Sequence, residues 1–157
     1  MPEAPGPQPA SRRLQVFVDA DVLFAGAAAP QEHGASLVLL RMAELTLIEA
    51  LTSEQVIVEV ERNLEQKIPA ALPAFRLLVS RCLHIVPSPQ PAELHPFAGL
   101  ADPKGPILAA AIQAGCPLLA TFNIRHFQPG SPAVQVLRPG ELVLRARERL
   151  AQLADQG

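Results

Sequence analysis

Gln15-Val16-Phe17-Val18-Asp19-Ala20-Asp21-Val22-Leu23-Phe24 is the stretch on which the fold turns. Its first half is a β-branched and aromatic run, the pattern of a strand buried on both faces. Asp19 and Asp21 then break the apolar character, with only Ala20 between them. In an open parallel sheet, ligands gather at the carboxyl ends of the strands, where such acids point into a crevice. Either Asp could cap a following helix. A cap needs one acid, however, and two acids closing an apolar strand indicate a metal or phosphate site.

The flanking sequence sets this strand in an alternating series. Pro2, Pro5, Pro7 and Pro9 mark residues 1–11 as a disordered Pro-rich leader, and residues 12–157 form a single domain. The small-residue run Gly26 to Gly34 reads as a loop that lines the cleft, followed by a helix from Ala35 to Leu45. Thr46 to Leu51 reads as the second strand. Thr52-Ser53-Glu54-Gln55 is a capping box that opens a helix reaching Lys67. Pro73 suits a helix start, and Leu83-His84-Ile85-Val86 is a third strand. Pro106 marks the first turn of an Ala-rich helix that Gly115 closes, and Cys116 to Thr121 is a fourth strand. Val134 to Leu137 is a last strand, and Glu141 to Leu153 a terminal helix. Strands alternating with helices predict a three-layer α/β/α sandwich with a mainly parallel central sheet.

Composition narrows the function classes. The 157 residues suffice for one domain with both sheet faces covered. A hydrophobic share of 49% against 18% charged excludes a disordered chain. The formal net charge of -2 gives no global attraction to nucleic acid, so RNA would have to meet a local patch. No apolar run approaches the ~20 residues of a membrane span, and no signal-peptide core is present, so a cytoplasmic location is expected. Cys82 and Cys116 fit no metal spacing and read as buried hydrophobes.

Oxygen ligands stand at four places: Asp19 with Asp21, Glu59, Asp102 and Asn123. Each follows a strand or lies in the first turns of a helix, and parallel strands bring such ends together. Converging carboxylates repel one another unless a cation joins them, and hard oxygens point to Mg2+ or Mn2+. Competing structural roles stand beside these. Glu59 alone reads as a solvated helix residue, Asp102 as a cap for the helix near Pro106, and Asn123 as a turn residue. Thr121 orients Asn123 or a bound water, or simply finishes its strand. Arg125 and His126 lie where they could meet phosphate.

The order of these motifs, from Val16 to about Leu144, resembles the PIN-domain nucleases, a family that includes the toxin-type ribonucleases of toxin–antitoxin systems. Val16 to Leu23 looks like the family's opening strand, with Asp19 as its metal-binding acid and Asp21 where Asn is more usual. Ser53 to Leu64 is similar to the second motif, with Glu59 as its acid. Ile107 to Gly115 and Leu118 to Thr121 look like the last helix and strand. Aligned without a gap, Lys104 stands where the family has its third acid; Asp102 takes that place only if the preceding loop shifts. Asn123 stands where Asp is more usual.

The resemblance implies a metal-dependent endoribonuclease in which Asp19, Glu59 and Asp102 are catalytic. Asp19, Asp102 and Asn123 would bind Mg2+ or Mn2+, Asp21 and Thr121 would support them, and Arg125 would contact RNA. It also implies an antitoxin partner and a homo-oligomer. Two other classes compete. One is a non-catalytic RNA-binding or protein-interaction domain on the same fold, suggested by Lys104 and Asn123. The other is a haloacid-dehalogenase-type phosphatase, suggested by Asp19-Ala20-Asp21. That family usually continues with Gly-Thr and a later acidic pair, and Val22-Leu23 and Thr121-Phe122-Asn123 supply neither.

Overall fold

A computed structural model describes residues 13–28 and 34–155, so the expected leader at 1–11 lies outside the described residues. Five strands, β1 (Leu14–Val18), β2 (Ile48–Ser53), β3 (Leu83–Val86), β4 (Leu118–Ala120) and β5 (Gln135–Leu137), make one sheet in the order β3-β2-β1-β4-β5. Every pairing is parallel. Around them lie α1 (Ala20–Ala28), α2 (Ala35–Glu44), α3 (Glu54–Lys67), α4 (Leu72–Cys82), α5 (Gly105–Gln113) and α6 (Pro139–Asp155). The architecture is the three-layer α/β/α sandwich that the alternating pattern predicts.

The strand order fixes where a site can form. The chain enters at the central β1, steps outward through β2 to β3, and crosses back to β4 on the other side of β1. Connections therefore diverge between β1 and β4, and a crevice opens there at the carboxyl ends. Helices α1 to α4 pack on one another, with α6 against α2. Right-handed crossovers put α5, on the return path, over the opposite face. Phe17, Leu39, Leu64, Phe75, Leu108 and Leu119 are among the side chains fully buried between these layers.

Local chemistry explains the boundaries. Ser53 caps α3 by accepting a hydrogen bond from the Val56 N–H at 3.4 Å; the expected capping box does not form, because Val rather than Glu or Gln stands at N3 and the Thr52 hydroxyl donates to the Val18 carbonyl. Gly115, at φ 69°, closes α5. Its N–H donates to the Ile112 carbonyl and that of Cys116 to Ala111, each at 3.0 Å, the paired bonds of a Schellman motif.

Some expected boundaries move. The loop predicted from Gly26 onward begins later, because Gly26 and Ala27 are buried in the last turns of α1. A Cβ on Gly26 would stand 2.7 Å from Leu40 Cδ1, so glycine there serves the approach of α1 to α2 rather than a turn. Gly26 faces α2 and not the cleft; residues 29–33 of that run lie outside the described residues. The second strand starts at Ile48 and not at Thr46, since Thr46 and Leu47 close α2 with a second Schellman pair. The fourth strand is shorter than expected, Leu118 to Ala120. The terminal helix starts earlier, at Pro139, whose fixed φ and missing N–H suit a first helical turn.

Candidate functional site

Asp19 follows β1 directly, and Thr121 follows β4, so both stand at the point where the connections diverge. The Asp19 N–H donates to the Ala120 carbonyl at 3.0 Å, continuing the ladder one residue past the strand. The Asp19 side chain is 1% exposed. Its Oδ1 accepts from the Ala20 N–H at 2.8 Å, and its Oδ2 from the Thr121 hydroxyl at 2.9 Å. The capping role and the site role thus coincide in one carboxylate.

Thr121 joins the two acids. Its Oγ1 lies 2.9 Å from Asp19 Oδ2 and 3.3 Å from Asp21 Oδ2, and it accepts from the Asn123 N–H at 3.0 Å. A hydroxyl has one proton, so it donates to one carboxylate at a time, and the shorter contact favours Asp19. Asp21 Oδ2 is also held by the Phe122 N–H at 2.9 Å. Asp21 Oδ1 is buried and has no hydrogen-bond partner among the described residues. A buried carboxylate oxygen left unpaired is costly unless something else satisfies it.

Electrostatics sharpen this. Burial pushes the Asp19 carboxyl above its ordinary range, and the neighbouring Asp21 charge pushes the same way. Lys104, the Ala20 N–H and the Thr121 hydroxyl pull it back, without cancelling the rise.

The crevice has a volume of about 350 Å³. Asp19, Asp21 and Glu59 line it, with Asn123 and Lys104. Lys104 precedes α5, and its Nζ lies 3.2 Å from Glu59 Oε1 and 3.7 Å from Asp19 Oδ1. Asp102 is exposed and does not line the crevice, whereas Lys104 does. Arg125 is exposed on a short 3-10 turn (Ile124–Phe127), outside the lining.

Two polar lining residues carried no candidate site role in the sequence. Asn63 and Lys67 follow Glu59 at successive i+4 steps, which puts all three on one face of α3; that spacing was the available signal. His126, which the sequence reading set near phosphate, also lines the crevice, and its Nδ1 is buried with no hydrogen-bond partner among the described residues. Lys67 Nζ sits 5.6 Å from the centroid of the Phe24 ring at the same rim. Cys116 is elsewhere, a free buried thiol pushed up to about 12 by burial and therefore inert.

Among the described residues, no three His, Cys, Asp or Glu side chains converge tightly enough to cage an ion. Magnesium-type ions do not need such a cage, since they keep several waters and bind through one or two carboxylates. The paired Asp19 and Asp21, with the unpartnered Asp21 Oδ1, fit that sparser kind of site.

No family model matches the chain, and no curated protein matches it. The fold is similar to the crystal structure of PAE2754 from Pyrobaculum aerophilum, at 17% identity and a TM-score of 0.61. The match covers 89% of this chain and 99% of that one. At that identity the likeness speaks for the fold alone. Among the described residues, no helix is long and apolar enough to cross a membrane.

Proposed function

We propose that this chain is a metal-dependent endoribonuclease of the PIN kind, acting on RNA in the crevice between β1 and β4. The observation that carries the reading is the pairing of Asp19 and Asp21 through Thr121, with Asp21 Oδ1 buried and unpartnered. Asp19, Asp21 and the Asn123 amide oxygen are the groups that would hold Mg2+ or Mn2+, and Glu59 faces them from α3. Such an ion, when bound, supplies a water activated for attack on phosphorus and neutralises phosphodiester charge. Thr121, the Ala20 N–H and the Phe122 N–H hold the two carboxylates in fixed orientations. Lys67 and His126 at the crevice, with Arg125 beside it, provide the local basic groups that a chain of net charge -2 needs to meet RNA. The resemblance that supports this reading also implies a cytoplasmic protein, an antitoxin partner and a homo-oligomer.

One observation favours a second reading, a non-catalytic RNA-binding or protein-interaction domain: an ammonium already bridges Asp19 and Glu59. A fluorogenic RNA, incubated with the protein and Mn2+ or with chelator, separates the two. The nuclease reading expects cleavage that needs Mn2+ and disappears in Asp19→Asn. Undiminished cleavage by a clean Asp19→Asn preparation would refute it. RNA retention without cleavage would establish the second reading.

A further inference from the structure

We infer that Lys104 is the crevice's resident cation, a tethered competitor that must withdraw before a divalent ion binds. The inference rests on the metal-site reading and concerns how that site is regulated. Its ammonium reaches two carboxylates from different elements, Glu59 on α3 and Asp19 after β1. The sequence separation from Glu59 is 45 residues, so this contact is made by the fold and not by local chain geometry. The Lys104 side chain is only 17% exposed, against 39% for Glu59, so the ammonium sits inside the crevice mouth.

The charge arithmetic explains why the lysine suits the place without filling it. Asp19, Asp21 and Glu59 bring three carboxylates to one crevice; Lys67 lies in the same lining against the Phe24 ring, and Lys104, the lysine ion-paired to these acids, answers with one positive charge. Asp21 is not among its ion pairs, and Asp21 Oδ1 stays unpartnered. A divalent ion would match the set better. An ion on Asp19 would be repelled by the Lys104 ammonium at either oxygen, since Oδ1 already receives the Ala20 N–H and faces the ammonium, and Oδ2 receives the Thr121 hydroxyl on the same small carboxylate.

The means of withdrawal are local. A lysine is a point charge on a flexible four-carbon stem, able to swing away without moving the backbone. Lys104 makes no capping hydrogen bond to α5 with its side chain, and the backbone at Gly105 borders open space. Moving the ammonium outward breaks its bond to Glu59 and no helix cap. An RNA phosphate entering beside the crevice would offer the displaced ammonium a new partner, which couples metal entry to substrate.

Calorimetric titration with Mn2+ alone tests this on wild type, Lys104→Met, Lys104→Gln and Lys104→Arg. If the lysine-in state holds nine molecules in ten, its removal tightens apparent Mn2+ binding about tenfold. Lys104→Met should show that gain, and Lys104→Arg should stay near wild type. Lys104→Gln keeps a hydrogen-bond donor for Glu59 and guards against a folding failure of the Met variant. Mn2+ should also raise the melting temperature of Lys104→Met more than that of wild type. Equal or weaker Mn2+ binding by both uncharged variants, with binding by wild type, overturns the inference and leaves the nuclease reading standing. Absence of binding in all four proteins removes the inference and the metal reading together.

Discussion

Asp19 is an acid held where the fold would more easily keep a neutral group. Its burial and the adjacent Asp21 raise its pKa above the ordinary 3.8, despite Lys104 and two hydrogen bonds. An acid with a raised folded pKa binds its proton more tightly folded than unfolded. Its ionisation therefore lowers stability as pH rises from about 4 through the raised value, and the contribution is complete only below the unfolded pKa. Asn at this position cannot ionise. The melting temperature of Asp19→Asn minus that of wild type should grow more positive as pH rises above about 4. A flat or shrinking difference would mean that Lys104 fully compensates the buried charge. Asp19 and Asp21 were legible at this scale because they sit against an apolar strand that has no other use for them, and Glu59 and Asn123 were legible as oxygen ligands at the ends of elements. The Lys104 bridge was not. Sequence left Lys104 and Asp102 as alternatives before the Ala-rich helix, and only the fold brings the Lys104 ammonium to Glu59.

Elements were legible where a cap or a proline marks them. Ser53, Pro106 and Gly115 each do what their chemistry predicts. They were misread where small residues serve packing or where a helix end lacks glycine. Gly26 belongs to a helix because α2 comes too close for a Cβ, which no local pattern records. Thr46 closes α2 at φ 62°, a conformation that β-branched residues strongly disfavour. Its β propensity made Thr46 look like the start of a strand. An L-residue in this region carries about 1–2 kcal/mol of strain, while glycine carries a larger unfolded-state entropy of roughly 0.5–1 kcal/mol. Thr46 is exposed, and its place after α2 calls for glycine. Thr46→Gly should therefore stabilise the protein by about 0.5–1 kcal/mol in urea unfolding, with an unchanged m-value. A loss of stability would show that the threonine side chain makes a contribution exceeding its backbone strain.

For the molecule as a whole, alternation of strands and helices was enough to predict a parallel α/β sandwich, and the order β3-β2-β1-β4-β5 turns that class into a site. Starting the chain on the central strand and returning across it makes β1 and β4 neighbours at the divergence. Asp19 and Thr121, 102 residues apart, thereby come within 2.9 Å. No helix-and-strand pattern could supply that distance, whereas strand-end acids on neighbouring parallel strands make it geometrically natural. The same topology leaves Asp102 on the surface, although its residue type suits a ligand. A divalent ion is expected at this divergence point. Anomalous diffraction from crystals grown with Mn2+ should show a manganese peak in the crevice, ligated by the carboxylates of Asp19 and Asp21, with the Lys104 ammonium moved off Asp19. A crevice with no peak and Lys104 still bridging Asp19 and Glu59, or manganese bound only elsewhere, would contradict it.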